Sequence, residues 1–321
     1  MGPSGYLHRK FGVFLANSLR LCTKIMRNPD IAPIIAEFIE AQGLPSSFHK
    51  LAEQWYLPLS DEIAERVRQQ HLRILGVSGS QGSGKSTLAA FLVSTLSHLH
   101  QLNCIALSMD DFYLTRAERS TLATTVHPLL MARGVPGTHD VSLFLQTIRA
   151  LRDGNGNVAV PRFDKAVDDR KPPAEWDSIP APTDLIILEG WCLKTPPQTD
   201  AALQSPINEL EAAEDPQGIW RNYVNTQLQQ SYQELFNQIN LLIFMQAPSF
   251  DAVYRWRGLQ EKKLISHLDQ NAGPLQTMDS KKLSRFIQHF ERLTLQNLKE
   301  LPNSADIVFE LDNDQEIIAR H

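Results

Sequence analysis

The chain has 321 residues, of which 42% are hydrophobic and 21% are charged, a composition typical of a folded globular protein with a sizeable core. Its formal net charge of -5 and the lack of a long Lys/Arg run argue against nucleic acid as the main partner. Three scattered cysteines exclude a disulfide framework and a zinc site, and they favour a reducing compartment such as the cytoplasm. Because no apolar run is long enough for a transmembrane helix, no membrane partner is predicted.

Residues 1–71 are predicted to form an N-terminal helical extension. The segment from His8 to Arg27 is basic and is interpreted as an amphipathic helix docked on the body of the protein, since no cleavage site of a targeting peptide stands out. Asp30 then precedes a run of apolar residues at helical spacing that Gly43 ends, which predicts a helix with a cap at each end. No chemical role is assigned to this extension.

A glycine-rich stretch opens the second part, residues 72–321. Residues 79–86 read GSQGSGKS and match the G-x-x-x-x-G-K-[ST] pattern in full. The preceding Ile74–Val77 predicts a buried parallel strand, and the following Ser86–Leu99 predicts a helix. In this context the backbone N–H groups turn inward around phosphates, and the helix N-terminus adds a partial positive charge. The predicted nucleotide-binding residues are Gly79, Ser80, Gln81, Gly82, Ser83, Gly84, Lys85, Ser86 and Thr87.

Strands and helices alternate from residue 72 onward. Further strands are predicted at 104–108, 185–188, 241–245 and 306–311, with a short one near Val158. Further helices are predicted around 116–133, at 140–152, around 219–236, from Phe250 and near 279–300. This alternation predicts a parallel sheet with helices on both faces.

Two segments differ from this alternation. Residues 153–184 are rich in Pro, Asp and Lys and are predicted to be a long acceptor-binding loop with little regular structure. Residues 194–218 carry Pro196, Pro197, Pro206 and an acidic string, and they are predicted to be a surface insertion. The acidic string consists of Glu209, Glu211, Glu214 and Asp215.

Carboxylates follow two of the predicted core strands, at the edge where ligands bind in open α/β sheets. Phosphoryl transfer to an alcohol requires a carboxylate near the acceptor hydroxyl, and Asp110, first after its strand, is predicted to be this base. Asp111 could hold water on the metal or cap the turn before Phe112. Glu189 is predicted to act on Mg²⁺ directly or through water, with Ser86 as the other metal ligand and Lys85 on the β- and γ-phosphates. A structural pairing of Glu189 with a lysine is the alternative.

Cationic residues suggest a pocket for an anionic acceptor and a residue that closes over the nucleotide. The loop PRFDKAVDDRK carries several cations, which either form a solvated charged loop or bind the carboxylate of the acceptor. Arg255 or Arg257 could fold over the γ-phosphate, although residues two apart on a helix point to different faces. The predicted acceptor contacts are Asp110, Tyr113, His139, Arg162, Lys165 and Arg170.

The phosphate loop, SMDDFYLT, PGTHD, the PRFDK…DDR loop, LEGW, NELE…WRNYVN and VYRWR follow one another in this order. This set of motifs resembles the D-glycerate 3-kinases of plants and cyanobacteria, which are grouped with uridine kinase, phosphoribulokinase and pantothenate kinase. The acceptor loop differs, because relatives tend to have a tyrosine before the Asp-Lys and a longer, glycine-bearing stretch before the Asp-Arg.

The resemblance implies a three-layer α/β/α P-loop fold with a mainly parallel five-stranded core sheet. It implies MgATP as donor, D-glycerate as acceptor, 3-phosphoglycerate as product and a place in photorespiration, in the chloroplast stroma if the source is a plant. It also implies that Lys85 and Ser86 contact phosphate and metal, Asp110 is the base, Glu189 follows the Walker B strand, and Arg170 lies in the acceptor loop. Arg255 or Arg257 matches the lid arginines.

A phosphate loop of this kind also occurs in other classes of nucleotide-binding protein. A GTPase switch should carry Asn-Lys-x-Asp after a strand, and the sequence has none. A related kinase for uridine or pantothenate, and a non-catalytic protein that binds ATP and senses a metabolite, remain as alternatives. The sequence carries no signal for an oligomeric state.

Overall fold

The structure is a computed structural model that describes residues 31–268 and 280–321, with side chains described outside residues 260–282. The chain divides into two compact units between Ala52 and Glu53. The predicted basic helix at residues 8–27 lies outside the described residues.

The first unit contains two helices, α1 (Ile31–Gln42) and α2 (Phe48–Leu51). Gly43 ends α1 with a φ of 60°, in the left-handed region that a glycine adopts without strain. The rings of Phe38 and Phe48 stack with their centroids 5.7 Å apart and join the two helices. The predicted helix that ends at Gly43 is confirmed.

The second unit begins at Glu53, within the π-helical turn Ala52–Tyr56, and then alternates helices with strands. Its helices are α3 (Leu57–Gln70), α4 (Lys85–His100), α5 (Arg116–Thr125), α6 (Val141–Asp153), α7 (Asp200–Leu203), α8 (Glu209–Glu214), α9 (Ile219–Gln229), α10 (Ser231–Phe236), α11 (Phe250–Leu268) and α12 (Ser280–Glu300). Its strands are β1 (Ile74–Gly79), β2 (Cys104–Ser108), β3 (Gly156–Val160), β4 (Phe163–Asp164), β5 (Asp169–Arg170), β6 (Asp177–Ala181), β7 (Leu185–Gly190), β8 (Leu241–Gln246), β9 (Ile307–Leu311) and β10 (Ile317–Arg320). None of the helices in the described ranges is long and apolar enough to cross a bilayer.

The central sheet has the strand order β10-β9-β8-β1-β7-β2. Five strands are parallel, and β10 pairs antiparallel with β9 at one edge. β1 and β7 are buried along their whole length, because helices cover both faces of the sheet. The predicted α/β class and its mainly parallel five-stranded core are confirmed. β10 was not predicted; it adds a sixth strand through a tight turn after β9.

The helix α3 packs as part of the second unit. The hydroxyl of Ser60 on α3 hydrogen-bonds the hydroxyl of Thr95 on α4 at 2.8 Å, with both side chains buried. The ring of Tyr56, just before α3, lies 5.6 Å from that of Phe91. The division between the two units therefore falls before α3, whereas the predicted boundary followed residue 71.

Two predicted helices are broken in the structure. The helix expected around 116–133 ends with α5, and a short 3₁₀ turn, Pro128–Met131, follows it. Pro128 has no N–H group to continue the helix, and the ring of His127 instead accepts a hydrogen bond from Leu129 N. The helix expected around 219–236 is divided into α9 and α10 at Gln230, whose backbone is not helical.

Residues 153–184, called the acceptor segment below, were predicted to have little regular structure, and this prediction is wrong. β3 pairs antiparallel with β6, and β4 pairs antiparallel with β5. Val160 is fully buried, and Val158 and Ile179 pack against the core from the facing strands. Of these four strands, only the short one near Val158 was predicted from the sequence, where apolar residues alternate.

The segment 194–218 is only partly a surface insertion. Glu211 is fully buried and forms an ion pair with Arg292, and Asp215 is buried against Arg221. Two residues of the acidic string therefore hold α8 and α9 to the core, because buried carboxylates require cationic partners.

Candidate active site

The phosphate loop connects β1 to α4 at the carboxyl end of the central strand. Gly82 and Gly84 have φ values of 84° and 83°, which favour glycine. A Cβ on Gly79 would lie 2.5 Å from Ser83 Oγ, and one on Gly82 would lie 2.7 Å from Trp256 Cβ. No side chain caps the N-terminus of α4, so its first N–H groups are oriented to bind an anion.

Lys85 and Glu189 lie side by side at this edge of the sheet. Val77 of β1 pairs with Glu189 of β7, and Ser108 of β2 pairs with Glu189 from the other side. The Lys85 ammonium is 3.9 Å from Glu189 Oε2, and both side chains are mostly buried. The structure thus brings the loop lysine close to Glu189, which lies within β7 rather than after it. Pairing with a lysine was the alternative role considered for Glu189.

Glu189 Oε2 is buried and has no hydrogen-bond partner among the described residues. A buried carboxylate oxygen without a donor fits a metal ion or a water bound to one. The hydroxyl of Ser86 is exposed in the first turn of α4. No cluster of three His, Cys, Asp or Glu residues that could hold a metal occurs in the described part of the chain. The residues present fit Mg²⁺, which keeps several waters and binds few protein ligands together with phosphates.

Asp110 follows β2, where the Ser108 hydroxyl accepts a hydrogen bond from its backbone N–H. Tyr113 donates its hydroxyl to Asp110 Oδ1 at 2.6 Å, and the Lys165 ammonium lies 2.6 Å from Oδ2. Burial alone would raise the pKa of Asp110, but Lys165, the Tyr113 hydroxyl and the charge of Lys85 outweigh it and lower the pKa to about 2. Asp110 is therefore ionised at neutral pH.

Asp111 anchors the acceptor segment. Its Oδ2 binds Arg162 at 2.6 Å, and its Oδ1 accepts from the backbone N–H of Phe163 at 3.1 Å. Both oxygens are used, so the structure supports neither of the roles weighed for Asp111, at the metal or as a cap. Arg162 also binds Asp177 through two nitrogens, which makes it a link within the segment rather than a residue with a free charge for the acceptor.

Tyr113 and His139 form a buried pair beside Asp110. Their rings stack with centroids 4.6 Å apart, and both residues are about 5% exposed or less. Burial lowers the pKa of His139 to about 4, against a smaller opposing effect of Asp110. The predicted acceptor contacts Tyr113 and His139 are thus both adjacent to Asp110, with His139 uncharged.

Tyr232 fixes the protonation of that histidine. Its hydroxyl accepts from Gly137 N at 2.9 Å and lies 2.6 Å from His139 Nδ1. Since His139 is neutral and the Tyr232 hydroxyl has no other acceptor among the described residues, we assign the hydroxyl proton to the bond with Nδ1 and the proton of His139 to Nε2. Nε2 is buried without a partner among the described residues.

Arg170 is held at the same place. Its Nε and Nη2 donate to the carbonyl oxygen of Tyr113, and Nη2 lies 3.2 Å from Asp140 Oδ2. Within the described residues its Nη1 has no acceptor. Lys165, in the turn before β5, therefore contacts Asp110 itself. Arg170 of β5 contacts Tyr113 and Asp140 instead.

Arg255 and Arg257 occupy different faces of α11, as their spacing predicts. Arg255 binds Asn313 Oδ1 at 2.6 Å, and the indole of the intervening Trp256 donates to the carbonyl of Asn313. The guanidinium of Arg257 lies 5.5 Å over the ring of Phe286. Because Trp256 abuts Gly82, and Gln315 donates to the Gly82 carbonyl from the same turn as Asn313, Arg255 is the arginine beside the phosphate loop.

Two residues near Asp110 were not identified from the sequence. Tyr232 is 93 residues from His139, and no local pattern links them. Arg133 forms an ion pair with Asp168 and lies 5.3 Å from the ring centroid of Phe163. Its position three residues before the PGTHD motif was the only signal.

Comparisons with known proteins place the chain among kinases. A family model described as "Phosphoribulokinase / Uridine kinase family" matches residues 74–193. The kinase mug58 of Schizosaccharomyces pombe, described as uncharacterized, is 34% identical over 231 residues, which cover 68% of this chain and 78% of that protein. The chloroplastic D-glycerate 3-kinase of Arabidopsis thaliana is 29% identical over 257 residues, which cover 76% of this chain and 53% of that enzyme, about half its length.

Among solved structures, D-glycerate 3-kinase from Cryptococcus neoformans var. grubii superposes with a TM-score of 0.66 over 82% of this chain and 98% of that chain. At 24% identity this likeness shows a shared fold. The fission-yeast kinase is similar along two thirds of the chain, and the family model covers the strands that carry the phosphate loop and Glu189. This chain therefore belongs to the phosphoribulokinase/uridine kinase family of P-loop kinases.

Proposed function

We propose that this kinase transfers the γ-phosphoryl group of ATP to D-glycerate, giving 3-phosphoglycerate and ADP. The observation that carries the proposal is the Asp110 carboxylate, bound by Lys165 on one oxygen and by Tyr113 on the other. The ionised Asp110 carboxylate thus contacts a cation of the acceptor segment, and the charge of Lys85 also lowers its pKa. The name of the Arabidopsis relative supports glycerate as the acceptor.

The reaction forms one bond and breaks another. The acceptor hydroxyl oxygen bonds to the γ-phosphorus, while the bond from that phosphorus to the β–γ bridging oxygen breaks and ADP leaves with the electron pair. Asp110 accepts the hydroxyl proton as the new bond forms. Its low pKa keeps the carboxylate ready to orient the hydroxyl, and the proton is released to water after transfer.

The negatively charged carboxylate of the acceptor binds to cations of the acceptor segment. Lys165 is mostly exposed and exchanges its contact with Asp110 for the carboxylate of glycerate. Arg170 offers Nη1, and His139 offers the Nε2 proton that Tyr232 directs. A carboxylate and two hydroxyl groups match one ammonium, one guanidinium and one neutral donor around the base.

The donor is held at the phosphate loop. The N-terminus of α4 and Lys85 would bind the phosphates, and Arg255 of α11 would leave its contact with Asn313 to reach them. Bound Mg²⁺, held by Ser86 and by Glu189 directly or through water, would neutralise charge on the phosphate oxygens. Lys85 and Glu189 remain 3.9 Å apart, so each also orients the other.

The test is ADP release with MgATP and a set of acceptors: D-glycerate, L-glycerate, uridine and pantothenate. Phosphorus NMR identifies the product. Asp110→Asn should lower turnover about a hundredfold or more and keep the affinity for ATP, because only the base is lost. Asp153→Asn, a change of an exposed carboxylate that pairs with Arg152, is the matched control and should leave turnover unchanged.

Each result has a distinct meaning. Turnover with D-glycerate alone, giving the 3-phosphate, supports the proposal. Turnover with uridine or pantothenate instead would keep the phosphate-loop chemistry and replace the acceptor. Binding of ATP with no turnover on any acceptor would favour a metabolite sensor over an enzyme.

A further inference from the structure

A cavity of about 430 Å³ lies on the second unit, away from the phosphate loop. Leu242, near the start of β8, and Asp306, directly before β9, both line it. These strands run parallel to β1, whose carboxyl end carries the phosphate loop. The cavity therefore lies at the opposite edge of the sheet, and its volume is in the range of small-molecule sites.

Two opposite charges line this cavity without pairing with each other. The Lys194 side chain is half-buried, and no carboxylate of the described residues lies within 4.0 Å of its ammonium. Asp306 is exposed on the rim, and its Oδ2 accepts a hydrogen bond from Leu242 N at 2.7 Å. Burial lowers the pKa of Lys194, although the charge of Asp306 opposes this shift. A partly desolvated ammonium with no carboxylate in direct contact favours a ligand with an anionic group.

The rest of the wall is apolar with an amide at the edge. Phe236, Ile239 and Leu242 are each less than 10% exposed and form one side. The side-chain amide of Asn237 has no hydrogen-bond partner among the described residues and lies on the same wall. A ligand for this cavity should therefore carry a short apolar group beside its charges.

We infer that the cavity binds an α-amino acid with an apolar side chain, with its carboxylate on Lys194 and its ammonium at Asp306. A ligand with only a carboxylate would offer no cation to Asp306. A ligand with only an amine would offer no anion to Lys194. An amino acid satisfies both residues and leaves the cavity electrically neutral, since one cation and one carboxylate line it. The cavity is separate from the proposed acceptor site, so this inference holds for any acceptor that the kinase phosphorylates.

Two walls of the cavity connect it to the candidate active site. Phe236 lies on α10, the helix whose Tyr232 hydroxyl contacts Gly137 and His139. Lys194 follows β7 within a few residues of Glu189, and the indole of the intervening Trp191 donates to the Gly134 carbonyl at 2.8 Å. A ligand that fixes α10 and the segment after β7 also fixes the residues around His139. Occupancy of the cavity should therefore change the acceptor KM rather than the ATP KM.

The experiment measures binding of L-leucine to the full chain by calorimetry, with no nucleotide or acceptor present. The probes are L-leucine, L-valine and L-phenylalanine, with isocaproate as leucine without its ammonium and isoamylamine as leucine without its carboxylate. We expect L-leucine to bind in the micromolar to millimolar range, and each of the two analogues to bind at least about tenfold more weakly. Lys194→Gln and Asp306→Asn should each weaken leucine binding about tenfold or more. Lys299→Gln, which changes a lysine that is 81% exposed, is the charge-matched control and should have no effect.

The outcomes separate the parts of the inference. No binding of any amino acid at about 10 mM overturns it, as does leucine binding that survives Lys194→Gln. Equal binding of isocaproate would show a site for simple carboxylates instead and would overturn the amino-acid assignment. With the acceptor that supports turnover, leucine should shift the acceptor KM about threefold or more, and an unchanged KM would overturn the link to the active site. Leucine binding is measured without turnover, so its failure is distinguishable from that of the proposed reaction.

Discussion

The ammonium of Lys165 lies 2.6 Å from Oδ2 of Asp110, and this ion pair joins the acceptor segment to the residue that follows β2. The Lys165 side chain is 62% exposed, so the pair is open to water. Exposed ion pairs contribute about 1 kcal/mol or less, and Lys165 can leave Asp110 for an acceptor carboxylate at little cost. Lys165 thus fits a residue that binds the acceptor carboxylate and then no longer contacts the Asp110 carboxylate, the proposed base.

The first prediction concerns this lysine. Lys165→Gln should raise the acceptor KM about tenfold or more, because a charge-assisted hydrogen bond to the acceptor is lost. The ATP KM should not change, since Lys165 belongs to the acceptor segment. Initial rates over a matrix of both substrates measure the two constants together.

Lys171→Gln is the matched control, because Lys171 lies in the same segment and pairs with Glu175 at 3.7 Å, away from Asp110. If Lys165→Gln raised kcat and left the acceptor KM unchanged, Lys165 would only restrain Asp110. That result would remove Lys165 from the acceptor site.

The second prediction distinguishes the two arginines of α11. Arg255 contacts Asn313 beside the phosphate loop, whereas Arg257 lies over Phe286. Arg255→Ala should lower kcat about a hundredfold, the size of effect expected when one donor to transition-state charge is removed. Arg257→Ala should lower kcat only a few-fold. Single-turnover rates with saturating ATP give the comparison, and equal losses would contradict the assignment of Arg255.

The parts of the site that the sequence predicted are local ones. The phosphate loop needs glycines at fixed spacing, and Asp110 and Glu189 are identified because each follows an apolar strand. These features depend on a few neighbouring residues, and parallel pairing then brings them to one edge. The confirmed fold rests on the same logic, since the alternation of strands and helices leaves few arrangements.

The parts that the sequence did not predict depend on contacts between distant residues. Tyr232 contacts His139, which is 93 residues away in the sequence, and Arg162 forms an ion pair with Asp111, which is 51 residues away. A charged loop and a paired hairpin have similar compositions, so composition did not reveal the strands of the acceptor segment. Burial of Glu211 could not be seen either, because its partner Arg292 lies on α12.

The third prediction tests that buried ion pair. Glu211 binds Arg292 at 2.7 and 2.6 Å and also accepts from Ile207 N at 3.0 Å, with its side chain fully buried. Glu211→Ala should lower the free energy of unfolding by about 3–5 kcal/mol, because it leaves the Arg292 charge buried without a counter-ion. Urea denaturation followed by circular dichroism measures the change.

The same two helices provide the control for this measurement. Arg285 on α12 binds Glu214 on α8 with two hydrogen bonds, but the side chains are 53% and 40% exposed. Glu214→Ala should therefore cost about 1 kcal/mol or less. Similar costs for both variants would contradict the view that burial decides the strength of the Glu211 pair.

The fourth prediction concerns the hydroxyl that fixes the tautomer of His139. Tyr232→Phe leaves Gly137 N and His139 Nδ1 without their shared partner, which should cost about 1–3 kcal/mol of unfolding free energy. The acceptor KM should rise more than the ATP KM, because Nε2 no longer keeps the proton. Tyr223→Phe is the control, since Tyr223 packs close to Gly137 and its hydroxyl has no partner among the described residues. An unchanged acceptor KM in Tyr232→Phe would contradict this role.

The last prediction follows from the pKa of His139, which burial lowers from 6.5 to about 4. Between these two values the unfolded chain binds a proton that the folded protein excludes, so the His139 contribution favours the folded state above pH 6.5. It is lost as the pH falls through this window, by at most about 1.4 kcal/mol per pH unit. His139→Gln lacks this titration, and the difference in unfolding free energy between the parent and the variant should shrink from pH 6.5 towards about pH 4. Urea unfolding of both proteins across that window measures the difference. A gap that does not change with pH would mean that the folded protein protonates His139 as readily as the unfolded chain, stabilised by Asp110.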